Sequence, residues 1–305
     1  MPETRIQKVA LIGFGEVGGI FGKDLVAAGI EVSTFDVQFC KEPARAGMLD
    51  KALSAKVIAV DNLRDAIRSA QLVVSVVTAS SAFTVACEAA GLLRPAQFYL
   101  DANSVSPETK GKMAAEVDRS GAYFVEAAVM AAVAPQRLKV PMLLGGTHAS
   151  ELAPALRTLG MDVTPVSERV GVASAIKMCR SVVMKGLAAL AIESLFAARR
   201  YGAEDAVIAS FEATYPHMGW AKSLPDSLTK RAVEHSRRRA AEMREVEETL
   251  ESAGIRPFMA SGTADLQDWL TGEMEAHNYT YQPNESFSWR AFADLIAPSA
   301  KSTAS

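Results

Sequence analysis

The chain has 305 residues, 49% apolar and 22% charged, with a formal net charge of −3. That is enough chain for two domains with a sizeable core, and the slight acidity argues against a general nucleic-acid binder. Three cysteines (Cys40, Cys87, Cys179) form no CxxC pair and the four histidines lack metal-ligand spacing, so reduced thiols and no metal site are expected.

An apolar strand over 9–12 runs straight into Gly13-Phe14-Gly15-Glu16-Val17-Gly18; a helix follows to Gly29, and a strand over 31–35 ends on Asp36. Gly13 permits the strand-to-helix turn, Gly15 lets a pyrophosphate approach the backbone, and Gly18 lets the helix pack close to the sheet. The helix N-terminus offers free N–H groups and a favourable dipole to phosphate, with Phe14, Glu16 and Val17 completing the turn. Asp36, 18 residues past Gly18, is placed to accept both ribose hydroxyls of an adenosine. An acid there favours NAD over NADP, although Lys41 and Arg45 just downstream offer charge that would neutralise a 2′-phosphate.

The alternation continues. A strand is expected over 56–60, a helix from an Asn62 cap through Ser69, and a central strand over 72–77. Val77, Thr78 and Ala79 leave that strand where a cofactor would lie. A helix over 82–91, a strand over 97–100 ending on Asp101, and a helix opened by Ser106-Pro107-Glu108 and closed at Gly121 come next. Strands at 122–125 and 142–144, a helix over 150–159 and a strand over 162–166 complete the pattern of an α/β fold, a doubly wound and mostly parallel sheet. About seven residues precede the first strand, so no signal peptide is expected; no segment reads as a membrane span flanked by polar loops, and the reduced thiols lead us to expect a cytoplasmic setting.

Near residue 168 the strand signals stop, which divides the chain into a dinucleotide-binding domain at 1–168 and an all-α domain at 169–305. Residues 171–201 read as one helix about 45 Å long, apolar round most of its circumference and therefore expected to be buried by other helices. Those are expected over 204–214, 228–253 and 264–270, with a disordered tail from Pro298. Lys177 lies early in the long helix, with Ala173, Ser174, Arg180 and Ser181 at i±3 and i±4. Burial and a nearby cation favour the neutral amine that a general base needs; a lysine snorkelling to water or paired with a distant acid fits the same pattern.

These segments together resemble the β-hydroxyacid dehydrogenase family, which includes 3-hydroxyisobutyrate and 6-phosphogluconate dehydrogenases. The correspondence runs over about residues 6–200: the glycine turn, the DxST-type Asp101-Ala102-Asn103-Ser104, the substrate segment at 126–132, and Gly171-Val172-Ala173-Ser174-Ala175-Ile176-Lys177. Beyond it the chain looks like a divergent branch with a distinct C-terminal helical domain. The resemblance implies an NAD(P)-dependent dehydrogenase and a homodimer, with Lys177 as general acid/base and Asn103 and Ser104 orienting cofactor and substrate. The departures are Arg180 where members carry asparagine, Ser181 after it, Met130-Ala131-Ala132 in place of Ser-Gly-Gly, and Glu126-Ala127-Ala128 in place of Asp-Ala-Pro. They imply a roomier, more apolar pocket lined by Met130, with Arg180 gripping a small anionic substrate.

An imine or other C=X reductase, and a dinucleotide binder without turnover, remain as alternatives. The aromatic loop from Tyr215 through His217 and Trp220 to Lys222 is a candidate pocket wall or core plug. His235 with Arg237-Arg238-Arg239 is a solvated helix face, an anion grip or a crossing to a partner subunit.

Overall fold

A computed structural model of the chain describes residues 6–296, so the tail from Pro298 lies outside the described residues. The chain divides into two compact units, Met1–Met178 and Cys179–Ser305, and the division falls inside one long helix.

The first unit is built on eight strands: β1 (Lys8–Ile12), β2 (Glu31–Phe35), β3 (Ile58–Ala59), β4 (Leu72–Ser75), β5 (Phe98–Asp101), β6 (Tyr123–Val129), β7 (Met142–Gly145) and β8 (Val163–Ser167). They form one sheet in the order β3-β2-β1-β4-β5-β6-β7-β8, parallel throughout except where β7 runs against β6. Seven α-helices lie between them among the described residues: α1 (Glu16–Ala27), α2 (Ala44–Ser54), α3 (Leu63–Ile67), α4 (Ala79–Ala90), α5 (Pro107–Asp118), α6 (Val133–Gln136) and α7 (Ala149–Thr158). Successive β1 side chains feed different apolar layers, Val9 and Leu11 joining Phe14, Phe21 and Leu25, and Ala10 and Ile12 joining Ile67, Ala86 and Met113. A strand alternates its side chains between faces, so two layers mean that helices cover the sheet on both sides, as the doubly wound fold requires. The strand order reverses between β1 and β4, and the crevice beyond their carboxyl ends is where such sheets bind ligands.

The long helix α8 (Val172–Arg200) leads into the second unit, which continues with α9 (Glu204–Thr214), α10 (Leu224–Glu234), α11 (Ser236–Ser252), α12 (Phe258–Ala276) and α13 (Trp289–Ile296). Ile192, Leu195, Phe196, Trp220, Leu228, Trp289 and Phe292 share its core.

Several expectations need correction. The stretch 228–253 is two helices, because His235 (φ −135°, ψ 32°) leaves helical geometry between α10 and α11. The strand expected over 56–60 shrinks to two residues, since Lys56 takes φ +56°. No expected element corresponds to α2 or α13. Nor is α8 enclosed all round: Ile176, Val183, Met184 and Leu190 are exposed. By length and composition α8 is apolar enough to cross a membrane, with half of its most apolar window buried inside the protein.

Candidate cofactor and proton-transfer site

The glycine turn joins β1 to α1. Gly13 holds φ +94°, and a Cβ there would lie 2.6 Å from the Val76 carbonyl oxygen. A Cβ on Gly18 would collide with the Gly13 carbonyl, whereas one on Gly15 would meet nothing within 4 Å. The turn is therefore closed behind and open at Gly15, the N-cap of α1. No side chain caps that helix, so its first N–H groups remain available to an anion. Asp36 sits at the end of β2, its Oδ2 accepting the Phe14 N–H at 2.7 Å and its Oδ1 the Gln38 N–H at 2.8 Å. Each oxygen keeps a second lone pair, so both still have capacity for a ribose hydroxyl. Open space at Gly15, uncapped amides and a carboxylate held by backbone are the features a dinucleotide needs.

No sequence pattern marked Lys51. From α2 its Nζ donates to the carbonyls of Phe14 at 2.8 Å and Gly15 at 2.7 Å, and lies 5.1 Å from the Phe14 ring centroid. Burial lowers its pKa, while Asp36 and Glu16 pull the other way. The Phe14 residue is thus held at both ends, its N–H by Asp36 and its C=O by Lys51, which fixes the peptide planes of the turn.

At the ends of β4 and β5, Asn103 is buried; its Nδ2 donates to Ser75 Oγ at 2.9 Å and to the Asp101 carboxylate. Lys110 from α5 forms a buried ion pair with Asp101 and also donates to its carbonyl at 3.0 Å. Asn103 therefore ties two strand ends together, and Ser104 beside it is half-buried. Val77 is half-buried, and the Thr78 hydroxyl sits 3.0 Å from that of Ser81 at the start of α4.

Glu126 is the least anticipated residue. It is fully buried in β6, and its carboxylate caps the N-terminus of α8. Oε1 accepts the N–H groups of Gly171 at 2.7 Å and Ala173 at 3.1 Å; Oε2 accepts the Ser174 N–H at 3.3 Å and its hydroxyl at 2.6 Å. Gly171 takes φ +96° and packs against Pro107, three residues past Ser104. The start of the lysine helix is thereby fixed to the strand-end cluster within one unit. Lys177 follows on this capped segment and is half-buried, between exposed Ile176 and buried Met178. Met130 follows β6, half-buried, its N–H donating to the Pro141 carbonyl at 2.9 Å. Arg180, exposed, and Ser181, buried, lie past the division in the helical unit.

In that unit the aromatic loop is both plug and wall. Trp220 is buried against Phe211 and, with Ile208, Pro225 and Trp289, lines a cavity of about 210 Å³. His217 adopts φ +76°. The basic run splits: Arg237 pairs with Glu275, Arg238 lies near Glu242, and Arg239 turns inward. His235 is near Glu234.

Residues 8–167 match the family described as the NAD binding domain of 6-phosphogluconate dehydrogenase, and residues 198–270 match a domain of unknown function, DUF1932. An uncharacterized 28.5 kDa protein of Methanothermus fervidus is 30% identical over 85% of this chain and 97% of its own length. The mitochondrial 3-hydroxyisobutyrate dehydrogenase of Mus musculus is 25% identical over 58% of this chain, a match that spans about half of that protein (52%). A conserved hypothetical protein from Sinorhizobium meliloti superposes with a TM-score of 0.77 at 32% identity, covering 96% of this chain and 97% of that one.

Proposed function

The chain belongs to the family that carries the 6-phosphogluconate dehydrogenase NAD-binding domain, and we propose that it is an NAD(P)-dependent oxidoreductase acting on a hydroxy acid with Lys177 as general acid/base. The observation that supports this reading most is the Glu126 cap, which fixes the start of the Lys177 helix in the same unit as the dinucleotide turn. Bound nicotinamide would supply the hydride acceptor or donor. The chain's part is to hold the pyrophosphate at the α1 N-terminus, the adenosine ribose at Asp36, and an amine at Lys177 that exchanges a proton with the substrate oxygen. Asp36 supports NAD over NADP as the preferred form. A homodimer belongs to the same proposal: Ile176, Val183 and Leu190 recur every seven residues on α8, all exposed, an apolar stripe that a second copy would cover.

The test is nicotinamide absorbance at 340 nm with NAD against a panel of hydroxy acids. Lys177→Ala is expected to lower kcat by at least ~100-fold while NAD affinity holds. Turnover that survives the substitution removes the proton-transfer role. Sedimentation of the wild type and of Val183→Asp tests the dimer, and a monomeric wild type would sink it.

A further inference from the structure

Away from the dinucleotide turn, the helical unit gathers three cations around one carboxylate. Lys185 on α8 is only 9% exposed; its Nζ lies 2.8 Å from Glu242 Oε2 and 3.5 Å from the Ser181 hydroxyl. The other oxygen of Glu242, on α11, lies 3.5 Å from Arg238 Nε. Arg239, the next residue, is half-buried, and its Nε is buried without a hydrogen-bond partner among the described residues. Its charge acts on Lys185 and meets those of Glu242, Arg231 and Arg238. One carboxylate thus faces Lys185, Arg238 and Arg239, two of them largely withdrawn from water.

A second orphan lies level with Glu242. Gln267 on α12 is fully buried, and neither its amide nitrogen nor its oxygen makes a hydrogen bond among the described residues. Thr271 meets Ser236 and Asp265 meets Arg244, so α12 runs antiparallel to α11 and Gln267 falls opposite the stretch 240–242, which ends on Glu242. Thr263, one turn earlier, borders Gly186, the neighbour of Lys185. Three helices therefore meet here, α11 and α12 with unmet polar groups and α8 with the Lys185 ammonium, and exposed Arg238 lies at the edge.

A buried cation is costly unless an opposite charge meets it, and a guanidinium fork beside an ammonium matches the geometry of an oxyanion. We propose that Lys185 and Arg239, with Gln267 level with the Glu242 they share, form an oxyanion-binding subsite in the helical unit that takes the carboxylate or phosphoryl group of a small molecule. The subsite uses only residues of α8, α11 and α12 past the division of the chain, and it goes beyond the dehydrogenase reading.

The test uses the full chain without cofactor, titrated with inorganic phosphate and with malonate against sodium chloride of matched ionic strength. A saturable rise in Tm and calorimetric binding are expected. A response to phosphate alone assigns the phosphoryl group, and a response to malonate alone assigns the carboxylate. Arg239→Met and Lys185→Met should each weaken binding at least ~10-fold, and Arg239→Lys, which keeps the charge and loses the fork, should fall between. Arg237→Gln, on the same helix but paired with Glu275 at the surface, should bind as the wild type does. No response above chloride in the wild type, or equal losses in Arg239→Lys and Arg237→Gln, overturns the proposal. Because no cofactor or substrate is present, a failure of dehydrogenase activity leaves this result untouched.

Discussion

Glu126→Gln isolates the cap on the lysine helix. The carboxylate is fully buried and accepts four hydrogen bonds, two on each oxygen. Glutamine keeps the volume and one acceptor oxygen, but turns an NH2 group toward the donors that faced the other. Two charge-assisted bonds are lost at about 1.5–3 kcal/mol each, with about 1 kcal/mol of attraction between the anion and the helix N-terminus. Relief from burying a charge returns a few kcal/mol, leaving a net loss of roughly 2–3 kcal/mol. For a unit of this size that lowers Tm by about 5–10 °C. Calorimetry reads the shift, and hydrogen exchange locates it: the amides of Gly171, Ala173 and Ser174 should exchange faster while those of β1 and β4 do not. If Lys177 transfers the proton, kcat falls as well, on the order of 10-fold, with NAD affinity unchanged. Unaltered exchange at 171–174 together with an unaltered Tm would refute the argument that Glu126 sets the position of the helix.

Three further outcomes follow from the geometry. Lys51→Met removes the clamp on the Phe14 and Gly15 carbonyls and should weaken NAD about 10-fold by fluorescence titration, with partial recovery in Lys51→Arg; an unchanged Kd removes the role. Asp36→Ala should cost NAD about 10- to 100-fold and NADP much less, and equal losses would show that the carboxylate does not read the ribose. Burial lowers the Lys185 pKa below its ordinary 10.5. Between the folded value and 10.5 the unfolded chain binds more protons than the folded one, so this residue makes stability rise with pH in that window. Urea midpoints of the wild type measured against Lys185→Met should therefore diverge in favour of the wild type as pH rises toward 10.5; parallel midpoints contradict it.

The parts of the fold legible in the sequence are those governed by local rules. Gly13, Gly15 and Gly18 answer to sterics within one turn, the β4 run is apolar because the sheet is covered on both faces, and Ser106 caps α5 through the Thr109 N–H. Short or long-range features were not legible. Nothing in the run 228–253 announces that His235 leaves the helix, since both flanks carry helical periodicity. The exposure of Ile176, Val183 and Leu190 is invisible to periodicity, because an apolar residue reads the same whether a core covers it or nothing in this chain does. Lys51 and Lys110 act on partners 36 and 9 residues away, across tertiary contacts that no spacing encodes.

Glu126 carries the sharper lesson. By position it falls in the family's substrate segment, and in sequence its difference from Asp-Ala-Pro looks like altered substrate contact. In the structure its carboxylate turns away from that task and is consumed by the α8 N-terminus. The antiparallel pairing of β6 with β7 places Gly145 directly opposite, and a Cβ at Gly145 would overlap Glu126 Oε1. The longer acid, the glycine facing it and Ser174 therefore form one device: the acid reaches because the glycine yields space, and the serine hydroxyl satisfies its second oxygen. Gly145→Ala should accordingly reproduce the exchange signature of Glu126→Gln at 171–174 without touching a charge. If it leaves those amides protected, the space opposite Glu126 is not what lets the carboxylate reach the helix.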